Sequence, residues 1–257
     1  MTEQDIIAAL DLPVSSRVDQ RVPKKLLIEN GATNASDKRQ INDGIEDIQW
    51  LAALKPNTIG VPAYQDDVRE YLEIAVLSIT LKFTAAMLAK PVRLAELIHR
   101  AIPYPTVLLL KSEQGLMLSV AHKRWALTEA DKVILDGDVV AVTLINDASS
   151  SAVETEFLQA LALRCQPQTT LHVLYQGWMN CLIAMQAAQL TGSFKLANSL
   201  AQTAKFRQAL QDCQRLELDA VSLRTKAAKE TQLARQVELN LDLKHVQAQL
   251  AALREQL

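Results

Sequence analysis

Glycine is scarce in this chain, and its scarcity excludes the commonest phosphate-binding loops. Seven glycines are spread over 257 residues. None of them forms a Walker-type loop or a G-x-G-x-x-G segment, in which the backbone must approach a phosphate closely. The G-x-S-x-G turn of the α/β-hydrolases is missing as well. Aromatic residues make up only 4% of the chain, so aliphatic side chains and alanine must form most of the core.

Cysteine and histidine are also few, and they show no pattern typical of a disulfide or metal site. The three cysteines are odd in number and far apart, without a C-x-x-C pair, which argues against a disulfide framework. His99, His122, His172 and His245 are isolated from one another and from the cysteines, and no pair has zinc-ligand spacing. Structural or surface roles are favoured for these histidines. The sequence therefore predicts no catalytic residue, no metal site and no cofactor.

Long apolar runs and a strong net charge are absent too. No run approaches the roughly 18 residues of a membrane span, and the acidic start of the chain lacks the basic region of a signal peptide. We therefore expect a soluble cytoplasmic protein without a membrane partner. The formal net charge is −2, so no global basic field requires a nucleic-acid partner.

Two local groups of basic residues are the candidates for DNA contact. Arg21, Lys24 and Lys25 form the first group, and Lys123, Arg124 and Trp125 form the second. The indole ring of the second group is able to stack on a base or a sugar. The alternative is a solvated surface beside an ordinary half-buried tryptophan. Phosphate binding normally needs several converging cations, so DNA contact is a hypothesis at this stage.

The hydrophobic pattern predicts an α+β domain. Residues 71–83 are apolar on both faces in the middle, which is typical of a central strand. Pro91 opens a helix that Pro103 and Pro105 end. Further strands are predicted over 48–54, 106–110, 116–121 and 139–145, and further helices over 3–10, 36–47, 153–165 and 171–190. This order predicts an N-terminal mixed sheet covered by helices, followed by a helical region that ends in a long coiled-coil-like helix.

The composition divides the chain into three parts. The serine-rich run 146–151 is a linker by composition. The predicted parts are an α+β domain over 1–147, a helical hairpin over 152–202 and a long helix over 203–257. From Thr203 onward neither glycine nor proline interrupts the helix.

The long helix has two apolar series in alternating steps of four and three residues. The first series is Leu216, Ala220, Leu223, Ala227, Ala234, Val237 and Leu241, and the second is Leu239, Leu243, Val246, Leu250, Leu253 and Leu257. An offset of two residues places the two series on nearly opposite faces. Either both series pack on the chain's own helices, or the leucine-rich tip pairs with another chain. The predicted partner-binding residues are Leu216, Leu223, Val237, Leu239, Leu243, Val246, Leu250 and Leu253.

The carboxylates raise an enzymatic alternative. The order of helices and strands is similar to the core of many metal-dependent nucleases, which need an acidic residue and, on a neighbouring strand, an acid-x-Lys triplet. Glu70 and Glu73 lie at the central strand, but no lysine follows two residues later, and Lys82 is too distant. Positions in turns or on the surface explain the other acidic residues more simply. An active or degenerate divalent-metal nuclease of the restriction-endonuclease-like type is therefore the alternative to a non-catalytic protein.

Four segments together give the chain a resemblance to a known family. They are Arg21–Lys25, Tyr71–Ile74 leading into Leu81-Lys82, Ala101–Pro105 and Lys229–Asn240. With these residues the sequence resembles the uncharacterised prokaryotic family called domain of unknown function 4391, over nearly its whole length. Family members often have Phe-Asn where this chain has Leu233-Ala234.

The resemblance implies a role, although the family has no established activity. Its members resemble accessory proteins that occur beside DNA helicases and methyltransferases in restriction-like, anti-phage gene clusters. On this basis we expect a non-catalytic accessory or scaffolding subunit that works with a DNA helicase or methyltransferase. Self-association through the C-terminal helix and contact with DNA are further expectations.

Overall fold

A six-stranded mixed sheet forms the centre of the N-terminal part in the computed structural model, which describes residues 1–32, 34–82, 91–113, 115–127, 129, 132–145, 152–197, 199–255 and 257. The strands are β1 (Arg17–Arg21), β2 (Ile45–Leu54), β5 (Ile74–Leu81), β6 (Thr106–Ser112), β7 (Gly115–Val120) and β10 (Val140–Ile145), in the spatial order β1-β2-β5-β6-β7-β10. The β5–β6 pair is parallel and the other pairs are antiparallel. Two small hairpins, β3–β4 (Tyr64–Gln65 and Glu70–Tyr71) and β8–β9 (Lys123–Trp125 and Val133–Leu135), lie outside this sheet.

The predicted strands are present, and the six-stranded sheet contains one more, β1, that the sequence did not reveal. The central strand begins at Ile74, because Glu70–Tyr71 pairs with Tyr64–Gln65 instead. β1 was not predicted because it is a polar edge strand: four of its five residues are exposed. Its register shifts between Arg17 and Gln20, where Asp19 has a φ of 48°, so no regular alternation marks it in the sequence.

Nine α-helices lie within the described residues. They are α1 (Glu3–Ala9), α2 (Lys24–Gly31), α3 (Ala35–Gly44), α4 (Pro56–Ile59), α5 (Pro91–Ala101), α6 (Ala152–Leu161), α7 (Leu171–Thr191), α8 (Leu200–Lys229) and α9 (Leu233–Arg254). The N-cap of α3 is Asn34, whose side chain accepts from the Asp37 amide at 2.9 Å. The sequence prediction began this helix at residue 36 and extended it to 47, where β2 has already begun.

One face of the sheet forms the main hydrophobic core with α2, α3 and α5. The buried residues from the sheet are Ile45, Ile48, Ala75, Leu77, Ile79, Leu108, Leu110 and Met117, and those from the helices and the α5 end are Leu27, Ile41, Leu94, Ala95, Ile98, Ala101 and Ile102. Parallel pairing of β5 and β6 requires a crossover connection, which includes α5. The fold class is therefore as predicted: a mixed sheet covered by helices, followed by helices.

The chain divides into two compact units, Met1–Leu182 and Ile183–Leu257, within α7. The first unit includes α6 and the first part of α7 as well as the sheet. The predicted boundaries were placed at the serine-rich run and near residue 202. The serine-rich run itself lies outside the described residues.

The second unit contains the long C-terminal helix, α8, which spans 30 residues. The chain then reverses and α9 returns antiparallel, so that Arg254 pairs with Glu217 at 3.1 Å. The uninterrupted helix predicted over 203–257 is therefore two helices. At the reversal Glu230 is extended, and its Oε1 accepts the backbone N–H groups of Thr231 and Gln232 at 2.8 and 2.9 Å. A side-chain cap thus replaces the glycine or proline that would have signalled the turn.

The reversal packs the α8 part of the first apolar series against the second series. Cys213, Leu216 and Leu250 are buried as one cluster with Leu190, Val246, Leu253 and Leu257 around it. Leu239 is buried as well, and Leu223 and Leu243 are half-buried. Among the predicted partner-binding residues, only Val237 is exposed. The leucine-rich tip thus packs on the chain's own α8, which was the first of the two alternatives.

The contact between α2 and α5 depends on Gly31. A methyl group at this position would lie 2.5 Å from Cβ of Ala101 and 2.9 Å from the carbonyl oxygen of Leu97. Helix propensity alone would favour alanine over glycine by about 1 kcal/mol. We predict that Gly31→Ala instead destabilises the protein by about 1–3 kcal/mol, because the helices must move apart.

Urea unfolding of Gly31→Ala and of wild type measures this effect. Glu29→Ala, on the exposed side of the same helix, is the control and should stay within about 0.5 kcal/mol of wild type. A Gly31→Ala variant more stable than wild type would contradict the close contact.

Candidate functional site

Three of the four segments on which the family resemblance rests contribute to the walls of two cavities beside Tyr104. The parallel pairing places the start of β5 beside the start of β6, with Ala75 opposite Thr106. The segment that follows α5, Pro103-Tyr104, therefore lies next to the segment that precedes β5. Two cavities share Pro103 and Tyr104 in their walls.

The first, which we call the polar cavity, has a volume of about 330 Å³. Its lining residues are Glu70, Leu72, Glu73, Pro103, Tyr104, Lys123, Arg124, Trp125 and Val133. Glu73 pairs with Lys55 at 2.8 Å, and Arg124 pairs with Asp136 at 3.6 Å. The cavity thus combines two carboxylates with two aromatic side chains.

Lys123 is buried, contrary to the prediction that it contacts DNA. Only 2% of its surface is exposed. Its Nζ donates to the carbonyl oxygens of His99 and of Ile102, the latter at 3.0 Å, at the C-terminal end of α5. Burial lowers the pKa of Lys123 to about 7, whereas the carbonyl dipoles of the helix end favour the protonated amine. Lys123 therefore caps α5 and is not available to a phosphate.

The second, which we call the apolar cavity, has a volume of about 310 Å³ and lies over the sheet between α2 and the end of α5. Its lining residues are Gln20, Arg21, Val22, Pro23, Leu26, Leu27, Asn30, Ile48, Trp50, Ala75, Leu77, Ile79, Ala101, Ile102, Pro103 and Tyr104. The rings of Trp50 and Tyr104 are stacked with centroids 6.2 Å apart. The indole N–H of Trp50 donates to the Ala52 carbonyl at 2.8 Å. The walls are therefore mostly apolar, and Gln20, Arg21 and Asn30 are their polar lining residues.

The first basic group lies near this cavity, and its members differ in their surroundings. The Arg21 side chain is 75% exposed and pairs with Asp47 at 2.5 Å. Lys24 is half-buried and donates to the Ile45 carbonyl at 2.5 Å; burial, together with Lys82 and Arg21 nearby, lowers the pKa of Lys24. Lys25 is exposed and pairs with Glu29 at 3.4 Å. Arg21 and Lys25 are thus the cations of this group that face solvent.

Behind the polar cavity is a cluster of rings that the sequence did not predict. His122 and His172, treated above as isolated, have ring centroids 5.2 Å apart. Three tyrosines surround them: Tyr71 and Tyr64 each lie 4.9 Å from the His172 ring, and Tyr175 lies 5.4 Å from the His122 ring. The distance of fifty residues between the two histidines explains why no spacing rule finds the cluster.

Hydrogen bonds determine the tautomer of His122 in this cluster. Its Nε2 lies 2.8 Å from Oε1 of Gln176, whose amide nitrogen donates to Asn180. Nε2 therefore donates, and Nδ1 accepts from the hydroxyl of Tyr71 at 2.5 Å. Burial lowers the pKa of His122 to about 4, although the Gln176 hydrogen bond opposes the shift. The neutral imidazole is the form that this site stabilises.

Tyr175 connects the two strand ends on which the cluster lies. Its hydroxyl lies 2.7 Å from the Thr106 carbonyl oxygen, to which it donates, and accepts from the Ala121 amide at 2.9 Å. The helix α7 thus joins the start of β6 to the end of β7. Burial raises the pKa of Tyr71 and of Tyr175 well above that of free tyrosine. The rings of the cluster are therefore un-ionised, which agrees with a structural role in supporting the cavity.

His99 is the other fully buried histidine. Its Nε2 lies 3.1 Å from the Ser119 hydroxyl, and its Nδ1 has no partner among the described residues. Burial, with Lys123 nearby, holds the pKa of His99 well below its usual range. The structural role favoured by the sequence agrees with this placement.

In the part of the chain that the structure describes, no three His, Cys, Asp or Glu side chains converge as metal ligands would. None of the described helices is long and apolar enough to cross a membrane.

The fold and the cavities define an α+β protein with a C-terminal helical hairpin, and a comparison of sequences assigns it to a family. Residues 10–250 match the family described as Domain of unknown function (DUF4391). The match covers nearly the whole chain, so the protein belongs to this family, as the four segments suggested. No curated protein and no solved structure matches the chain.

The buried neutral His122 predicts a loss of stability in acid. Because its pKa is about 4 in the folded state and about 6.5 when unfolded, its contribution is complete above pH 6.5 and is lost as the pH falls towards 4. The relevant quantity is the fall in the free energy of unfolding between pH 7.5 and pH 4.5. We predict that this fall is about 2 kcal/mol larger in wild type than in His122→Asn.

Urea titrations at the two pH values test this prediction. His245→Gln, which removes an exposed histidine on α9, is the control and should show the wild-type loss. An equal loss in wild type and His122→Asn would mean that His122 is not held neutral.

Proposed function

We propose that the protein is a non-catalytic accessory or scaffolding subunit of a prokaryotic anti-phage complex. It works with a DNA helicase or methyltransferase and binds that enzyme through its C-terminal hairpin. The neighbourhood implied by the family suggests the partner. One structural observation supports the binding surface: an exposed apolar stripe on α9.

The stripe consists of Leu233, Val237 and Leu241. These residues are 75%, 50% and 59% exposed and recur every four residues, so they lie on one side of the helix. Large aliphatic side chains that stay exposed in a row, while the opposite side of α9 is buried on α8, are typical of a surface that binds another protein. Arg235 and Glu238, which pair at 2.7 Å beside the stripe, provide a polar rim.

The stripe is separate from the residues that hold the hairpin together. Leu250 and Leu216 lie in the buried cluster, so truncating them would unfold the hairpin and would not test binding. Replacing the stripe alone leaves the internal packing unchanged. Exposed Arg21 and Lys25 are the residues of the first unit that we propose for accompanying DNA contact.

The test is a triple variant, Leu233→Ser with Val237→Ser and Leu241→Ser. We predict that it folds with wild-type stability within about 1 kcal/mol, since all three side chains are exposed. We also predict that it loses at least tenfold in affinity for the purified helicase or methyltransferase encoded beside its gene. Urea unfolding measures the stability, and titration calorimetry, with size-exclusion chromatography and light scattering for the mass of the complex, measures the binding.

The matched control is Leu218→Ser with Val221→Ser. These two side chains on α8 are 73% and 57% exposed but belong to another helix. The control should bind like wild type. Undiminished binding by the triple variant, or the absence of a complex with either enzyme, would contradict the proposal.

A second candidate function is a divalent-metal nuclease, and one observation favours it. Glu70 and Glu73 line the same polar cavity, although no acid-x-Lys triplet accompanies them in the sequence. Two carboxylates suffice for Mg²⁺ when substrate phosphates supply further oxygens. In this candidate Glu70 and Glu73 would hold the ion, which would polarise the phosphate.

Incubation of the purified protein with DNA and Mg²⁺ or Mn²⁺ separates the two functions. The nuclease candidate predicts cleavage that falls at least a hundredfold in Glu70→Gln and in Glu73→Gln, and not in Glu29→Gln, which lies outside the cavity. The accessory-subunit proposal predicts no cleavage by any of the four proteins.

A further inference from the structure

We propose that the apolar cavity is a binding site for a small aromatic carboxylic acid, with the ring against the apolar walls and the carboxylate at Arg21. This site is distinct from the hairpin stripe and does not depend on the function proposed above. The argument has three steps: the shape and chemistry of the walls, the free donors at the rim, and the size of the cavity.

The walls suit a flat apolar group. The floor is the sheet, where Ala75, Leu77 and Ile48 are buried. The rings of Trp50 and Tyr104, both half-buried, lie at an interplanar angle of 25° and present aromatic surface to the cavity. Because the indole N–H already donates to Ala52, Trp50 offers a ring and no hydrogen bond. Such a wall favours stacking with another ring.

The rim supplies donors that lack acceptors within the part of the chain that the structure describes. Arg21 uses its Nε for the ion pair with Asp47, and its two terminal NH₂ groups have no acceptor among the described residues. Asp47 also accepts a hydrogen bond from Gln49 at 3.2 Å. Its carboxylate therefore already has two donors, Arg21 and Gln49. Gln20 and Asn30, at the rim too, are exposed side-chain amides. A carboxylate is the group that a guanidinium and neighbouring amides bind best.

The size suits a small ligand. A volume of about 310 Å³ lies at the lower end of ligand cavities in proteins, which begin at about 300 Å³. One or two fused rings with a carboxylate fit this space. A mostly apolar cavity with a few convergent polar groups is the usual form of a small-molecule site.

A pair of probes of equal size tests the ring and the charge separately. They are 1-naphthoate and its neutral amide, 1-naphthamide, titrated into the full-length protein by calorimetry with Trp fluorescence as a second readout. We expect both to bind one molecule per chain, with dissociation constants in the millimolar range or below. Arg21→Gln should weaken naphthoate about five- to tenfold and leave naphthamide within about twofold. Arg17→Gln, on the same exposed strand but outside the cavity, should change neither.

Two variants that fill the cavity complete the test. Ala75→Leu fills it from the sheet, and Val22→Trp fills it from the half-buried rim, so that at least one of them should fold normally. Each folded variant should lose both probes. Wild-type naphthoate affinity in a folded filling variant, or no binding to wild type at millimolar concentration, overturns the site. An equal loss of both probes in Arg21→Gln overturns the preference for an acid.

Discussion

The parallel pairing of β5 with β6 is the constraint on which the candidate site depends. Parallel neighbours cannot be joined by a tight turn, so the chain crosses over through α5 and returns at the start of β5. This return places Tyr104 beside Glu73 on one side and beside Trp50 on the other. Both cavities therefore exist because one buried strand pair is parallel in an otherwise antiparallel sheet.

Polar groups that are buried near this crossover make hydrogen bonds with backbone groups at the ends of helices and strands. Lys123 binds the last carbonyl oxygens of α5, and Tyr175 bridges the ends of β6 and β7. A buried amine or hydroxyl without such a partner would cost several kcal/mol. Residues that look reactive in the sequence, such as Lys123 with its neighbouring tryptophan, therefore support the geometry of the cavities, and the exposed Arg21 is left as the accessible cation.

The sequence predicted those parts of the fold in which periodicity reflects burial. The apolar pattern of β5 is one that only a strand can bury, and the pattern of α5 is one that only a helix can bury. Both elements lie where expected. β1 escaped prediction because an exposed edge strand needs no apolar alternation, and the turn at Glu230 escaped because a carboxylate caps it in place of glycine or proline. The cavities and the His122–His172 contact join residues tens of positions apart, which only the completed sheet brings together.

The side-chain cap at Glu230 also makes the hairpin extensible. The reversal needs only three residues and no unusual backbone conformation. Each of the two helices carries a regular apolar seam, which any whole number of added heptads would continue. Adding seven residues to α8 and seven to α9 at the same height would lengthen the hairpin by about 10 Å and keep every existing contact. The length of the hairpin is therefore a quantity that evolution or a designer is able to change without altering its internal packing.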